Sequence, residues 1–399
     1  MSRRNAARVC AIVVAGACAA VAVAGAAWLL PLGRETRQTP FAGPRKDSRW
    51  AVDDSRAPVV RELALRQARV WAPPPDPSTA DLAANPRDSY GNLSGDVVRC
   101  RYLDGPHEGT TPKFDCVLPN GEIVKVKYGS TTEIQGELVA SRFLTALGFG
   151  ADRMYLVHHL HCFGCLRSPY YAAWLLDQLN LREVALRHVP DNRYTDFEWA
   201  AVERHFEGRE IESTDRQGWG WWELDRIDLL HGANRAERDA LRLVSLIIAH
   251  SDNKPSNQRL VCVADRDASD ICPQPFALIH DLGDTFGLNN GGLAQWKKTG
   301  IWKNRERCAV NMREFPDDSA TFPDRYISEE GRQLLARQLQ TLKDAQIEAL
   351  FTSTRITRVS ASGNGNADAW AQAMRDKIHE IVDGPPCPET ADRATSPAF

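Results

Sequence analysis

Two carboxylates and an amide offer the most chemistry in this sequence. In "HSDNKPSNQRL" (250–260) Asp252 and Asn257 stand five positions apart, and "LIHDLGDTFG" adds a second carboxylate, Asp281, a few tens of residues on. Phosphoryl transfer calls for these groups in this order: an Asp that meets the incoming hydroxyl, an Asn that helps hold a divalent cation, and a later Asp that grips the cation and the phosphates. Turn formation is the competing account of the first pair, because Asn, Asp, Pro and Ser satisfy their own backbone in turns. Asp284 is either a further metal ligand or a solvated turn residue.

These groups need elements to hold them. The apolar run "ALRLVSLIIAH" predicts a helix over 235–249 that ends where the polar loop begins. A strand at 258–263 ("QRLVCV") then leads away, and a second at 275–280 ("PFALIH") delivers Asp281. Apolar residues on both sides retain polar groups that would otherwise be costly to bury. Upstream, 97–103, 112–118 and 122–128 read as three antiparallel strands, the last two joined by a Pro-Asn-Gly turn. "STTEIQGELVASRFLTALGFG" sets Ile134, Leu138, Val139, Phe143, Leu144 and Leu147 on one helical face and ends at Gly148, before a strand "RMYLVHHL". Later, 328–351 reads as a helix capped by Ser328, and a final helix ends at Gly384. The fold class expected is α+β, with a small antiparallel-sheet lobe carrying one helix and a mainly helical second lobe.

Taken together, "GTTPKF", "VKVKY", "EIQGELVASRFLTALGF", "SDNKPSNQRL" and "DLGDTFG" resemble the atypical kinase superfamily of the Golgi casein kinases, HipA-type kinases and phosphatidylinositol kinases. The likeness runs over roughly residues 95 to 350. It implies a bilobal kinase-like fold, with Lys127 on phosphate, Glu137 as its helix partner, Asp252 as catalytic Asp, and Asn257 and Asp281 as metal ligands. Thr110, Thr111 and Lys113 would lie on the phosphate-covering loop. The implied ligands are ATP or another nucleotide with Mg2+ or Mn2+, which suit hard oxygen donors. Two features depart from the family. Strand alternation puts Lys125 on the face of Lys127, where a small residue usually meets adenine, so either the pocket takes something other than ATP or Lys125 swings out. The covering loop, with only Gly105 and Gly109, is not a G-x-G-x-x-G. In the bland reading, Lys127 and Glu137 are surface ion-pair residues of little energetic weight.

The chain of 399 residues has a net charge of −3, which leaves no nucleic-acid footprint. Three arginines precede an apolar run from Val9 to Leu32, long enough to span a bilayer, and an A-x-A site lies at Ala24–Ala26. Residues 1–33 therefore read as a membrane anchor or a signal peptide, with the bulk of the chain outside the cytoplasm. Residues 34–92, Pro- and Arg-rich, read as a stalk or linker with one short helix near 57–70, residues 93–385 as the kinase-like domain, and 386–399 as a disordered tail apart from Cys387.

Eight cysteines follow the apolar run, an even number that fits bridges in an oxidising compartment. A hairpin with 104 opposite 112 joins Cys100 to Cys116, and a second turn joins Cys262 to Cys272. Elimination leaves Cys162–Cys165 and a long-range Cys308–Cys387. "HHLHCFGC" also permits zinc at His161, Cys162 and Cys165, or a redox-active pair. The run "RQGWGWWELDR" is either a carbohydrate or lipid platform or a packed insertion. The expected activity is transfer of a phosphoryl group from a nucleotide to a hydroxyl on protein, glycan or lipid. Three alternatives stand beside it: an inactive scaffold or binding module at the cell envelope, an AMP transferase, and a cytoplasm-facing membrane kinase with free thiols.

Overall fold

The computed structural model describes residues 29–35, 40–45, 55–88, 91–107, 109–213, 217–228, 230–263, 271–311, 322, 325–358 and 365–389. Most of the apolar N-terminal run, and the end of the expected tail, lie outside the described residues. Among the described residues no helix is long and apolar enough to cross a membrane. The chain is α+β and divides into two compact units. One comprises residues 1–45, 88–129 and 157–200, and the other 46–87, 130–156 and 201–399.

The first unit is built on a sheet. Strands β1 (Gly33–Arg34), β2 (Val97–Leu103), β3 (Lys113–Val117), β4 (Ile123–Lys127), β5 (Arg153–Phe163) and β6 (Arg193–Arg204) run in the order β1-β6-β4-β3-β2-β5. β2, β3 and β4 pair antiparallel as expected, whereas β5 joins β2 in parallel. The hairpin register differs by two residues from the expectation, since Tyr102 rather than Cys100 faces Cys116. The Cys100–Cys116 bridge survives as a diagonal link with Cα atoms 5.7 Å apart, a distance that a disulfide spans comfortably. Cys162–Cys165, Cys262–Cys272 and Cys308–Cys387 are also bridged. The zinc alternative at His161 fails accordingly, because both cysteines are spent and the His161 ring stacks on Tyr194 at 3.9 Å.

In the second unit the core gathers on α5 (Arg235–Ile247), whose Leu241, Leu243, Val244, Leu246 and Ile247 are all buried. Asn234 caps it, accepting from the Glu237 amide at 3.0 Å while Glu237 accepts from the Asn234 amide, a reciprocal box that satisfies two helix-end donors. Helix α2 (Thr132–Ala146) belongs to this unit and not to the sheet unit, because Val139, Phe143 and Leu144 enter the same core. The expected helix over 328–351 is two: α7 (Glu329–Leu339) and α8 (Asp344–Ser353), with α6 (Gly292–Lys298) before them and α9 (Ala367–Val382) after. Ser328 caps α7. Trp219 and Trp221 are fully buried, so the Trp-rich run is a packed insertion.

Residues 57–82 differ from the linker reading. Helix α1 (Ala57–Arg66) and the segment after it bury Val60, Leu65, Ala68, Val70 and Leu82 in the second unit's core. Arg69 exchanges backbone hydrogen bonds with Pro275 and Ala277 of the strand Pro275–Ile279. Proline and arginine content suggested solvation, but the Arg61 guanidinium is buried and paired: it donates to Glu223 at 2.8 Å and to the Gly218 carbonyl at 2.6 Å. At the other end, Cys387 is tied by its disulfide and by its amide to Glu329 at 2.7 Å. Leu65→Ala is therefore expected to cost about 2–5 kcal/mol in denaturant unfolding of the full chain, where a linker position would cost almost nothing.

Candidate active site

The loop that follows α5 is made by backbone geometry before it is made by side chains. Ala249 takes the left-handed conformation, φ +50°, and breaks the helix. The chain is then fastened to the segment after Asp281: the Phe286 amide donates to Ile248 O at 2.7 Å, the Ser251 amide donates to Asp284 O at 3.1 Å, and the Ser251 hydroxyl donates to the Asp284 carboxylate. Asp284 thus holds a loop together and is more than a solvated turn residue.

Asn257 joins the two halves of the site. Its side-chain amide donates to the Asp252 carbonyl at 2.7 Å, and its own carbonyl accepts from the amides of His280 and Asp281 at 2.9 and 3.1 Å. Three of the residues singled out in the sequence, Asp252, Asn257 and Asp281, are thereby brought to one place. Asp281 Oδ1 accepts from the Gly283 amide at 3.1 Å. The set consists of hard oxygen donors, which fits Mg2+ or Mn2+ and not a soft metal.

Lys254 is a residue that the sequence reading passed over. Its Nζ lies 2.8 Å from Asp252 Oδ2, with Lys254 40% and Asp252 27% exposed. Lys254 thus sets a cation on a partly exposed carboxylate. The available signal was its place between Asp252 and the Pro255 that starts the next turn.

Helix α2 borders the Asp281 segment closely. A Cβ at Gly136 would lie 2.8 Å from the Thr285 hydroxyl and 3.2 Å from the Gly283 carbonyl, so glycine is what lets the helix approach. Glu137, the expected helix carboxylate, follows at once and is buried. One turn earlier, Glu133 borders the same segment, since a Cβ at Gly283 would meet Glu133 Cγ and Asp281 Oδ1, both at 3.2 Å. Its spacing of four from Glu137 was the missed signal.

In the first unit the register sets Lys127 directly opposite Lys113, and Lys125 opposite Asp115. Directly opposite residues share a sheet face, so two of the expected phosphate-loop cations are neighbours. Lys127 and Thr111 are buried. Thr110 is exposed on a loop that Tyr170 anchors by donating its hydroxyl to Gly109 O at 2.5 Å. A cleft of about 530 Å³ opens there, lined by Tyr102, His107, Lys113, Tyr170, Trp174 and Arg182 among others. Lys125 keeps to the face of Lys127 and Lys113, as strand alternation requires.

No family model matches the sequence, and no curated protein matches it. Among solved structures, a Helicobacter pylori proinflammatory kinase, CtkA, superposes with a TM-score of 0.37 and 10% identity, covering 71% of this chain and 92% of that one. A likeness that weak carries no argument about activity, which rests on the side chains themselves.

Behind Asp281 lies a buried polar cluster that the sequence did not announce. Asp152 accepts from the Phe206 amide at 2.8 Å and from His280 Nδ1 at 2.5 Å, and Arg259 reaches the same carboxylate at 3.5 Å. Glu203 approaches His280 Nδ1 at 3.9 Å. Asp152, Glu203 and His280 are spaced as a metal site would be. The guanidinium of Arg259, 3.4 Å from His280 Nε2, already supplies the cation. Burial pushes the Asp152 carboxyl up, but His280 and Arg259 outweigh it and hold the group at about 2. Burial keeps the His280 imidazole below its ordinary range. Both folded values lie below the unfolded ones, so the unfolded chain takes up protons first and stability is lost as pH falls. Thermal unfolding should show that loss beginning below about pH 6.5 as His280 charges and deepening below about pH 4 with Asp152. Asp152→Asn should cost roughly 3–5 kcal/mol at pH 7 and flatten the acid limb below about pH 4.

Proposed function

We propose that this protein is a metal-dependent, kinase-like phosphotransferase that moves a phosphoryl group from a nucleotide to a hydroxyl acceptor. The observation that supports it most is the double role of Asn257, whose side chain holds the Asp252 loop while its carbonyl holds Asp281. Such a constellation meets the positional demands of phosphoryl transfer, where catalysis rests on placement and charge.

In this reading Asp252 orients the acceptor hydroxyl and receives its proton, and Lys254, paired with that carboxylate, stands beside the transferring group. Asn257 and Asp281 hold the metal. When bound, Mg2+ or Mn2+ supplies charge neutralisation at the phosphates. Lys127, Lys113, Thr110 and Thr111 contribute donors to phosphate oxygens, and Glu137 remains the proposed helix carboxylate of the set. Four disulfides support a protein that works in an oxidising compartment, outside the cytoplasm, either secreted or held by the apolar run at residues 1–33. ATP is scarce there for a bacterial protein, which keeps an unusual donor or AMP transfer as the second reading.

Calorimetric titration of the full chain, disulfides intact, with ATP and other nucleotides and Mg2+ or Mn2+ tests the proposal. Metal-dependent binding, weakened at least about tenfold by Asp281→Ala, is expected, equivalent to about 1.4 kcal/mol or more. Absence of nucleotide binding by folded protein would leave an envelope scaffold as the better account.

A further inference from the structure

One apolar surface of the first unit extends beyond the cleft at the phosphate loop, whose lining includes Tyr171 and Trp174. After β5 the chain forms two short helices, α3 (Pro169–Gln178) and α4 (Arg182–Arg187), joined at Asn180, which is in the left-handed conformation at φ +54°. The inward stripe of α3, with Pro169, Ala172 and Leu176 spaced three and four apart, is buried, and Ala172 and Leu176 pack on Leu166 and Val189. A soluble helix would turn polar on the other side. Here Tyr171, Trp174 and Leu175 make a second apolar stripe, and Leu179, Leu181 and Val184 extend it. Trp174 is 63% exposed and Tyr171 56%. Among the described residues, eight of the fourteen exposed large apolar side chains fall in just two stretches, Leu30–Leu32 and Tyr171–Val184.

Those stretches meet. The Arg167 amide donates to Leu29 O at 2.9 Å, Leu29 packs with Leu166, Ala172 and Leu176, and Arg193 donates to Pro31 O at 3.3 Å. β1 then pairs with β6 through Gly33 and Tyr194. The apolar run from Val9 to Leu32 therefore ends fastened to the base of the helical pair that carries the exposed apolar stripe.

We propose that α3 and α4 form a lipid-facing hairpin that lies in the interface of a bilayer, beside the point where the N-terminal apolar run leaves it. The side-chain chemistry favours lipid. Trp and Tyr prefer the interfacial zone, and the leucines gain by burial among acyl chains. Electrostatics add little, because Arg182 is engaged by Asp104 and Asp177, and Arg187 by Glu183. Binding is thus driven by apolar insertion and requires no anionic lipid.

Photolabelling decides it. The full chain is added to phosphatidylcholine vesicles that carry an acyl-chain diazirine, irradiated, and the labelled peptides are mapped by mass spectrometry. Label on residues 169–184 is expected, unchanged when salt is raised from 0.1 to about 0.5 M, where screening shortens to a few ångströms. It should fall at least about fivefold in the double variant Trp174→Ser, Leu175→Ser. Both positions are exposed, so the variant is expected to fold, and labelling of the unaltered chain decides the matter regardless. Label confined to residues 9–32 would overturn the proposal, as would loss of label in high salt or cross-links joining 169–184 to a second copy of the chain. If the N-terminal run is removed by processing, label on 169–184 is still the expected result.

Discussion

The candidate site depends on one residue that makes bonds in two directions. Asn257 ends a short turn, and from there its carbonyl accepts two successive amides of the segment that delivers Asp281. Its side chain reaches back to the carbonyl of Asp252. Without these bonds the two carboxylates would be joined less directly, and loosely joined loops do not hold catalytic groups to the tolerance that phosphoryl transfer needs. Other contacts reinforce this arrangement, including the hydrogen bonds from Ser251 to Asp284 and the close seat of Gly136 on Thr285.

The proposed proton acceptor and its cation are partly open, while Asn257 and the groups that hold the loop are buried. Asp252 and Lys254 retain access to water, whereas His250, Asn253 and Thr285 are fully buried. Asn253 shows how such a residue is satisfied: its amide nitrogen donates to the Ser251 carbonyl at 3.2 Å, and its oxygen accepts from the Phe322 amide at 3.0 Å. Burial of polar groups is tolerable because partners are supplied locally.

Local signals in the sequence were read well. Strand Val97–Leu103 and the helix leading to His250 follow from alternation and helical spacing, and the four disulfide pairs agree with those expected, although the register behind Cys100–Cys116 differs. Errors came where composition opposed tertiary context. Residues 57–82 carry prolines and arginines but bury an apolar stripe against partners far along the chain, among them Glu223. The hairpin register slipped by two because a loop's length does not fix how many of its residues pair. Asp252, Asn257 and Asp281, singled out by their order, lie on segments that hydrogen bonds join. The cluster of Asp152 and His280 was not, because residues 128 positions apart announce no pairing in one sequence. Glu133 and Lys254 stand beside motif residues without belonging to the motif, and only the folded surface brings them to the site.

The most direct test of the central claim is phosphorus NMR of ATP and Mg2+ incubated with the full, disulfide-intact chain, comparing unaltered protein with Asp252→Asn. Asp252 in the proposed role, with water standing in for the hydroxyl acceptor, predicts accumulation of ADP and inorganic phosphate by the unaltered chain, falling about 100-fold or more in the variant. Pyrophosphate in place of ADP, or equal turnover by the two chains, would contradict phosphoryl transfer at this site.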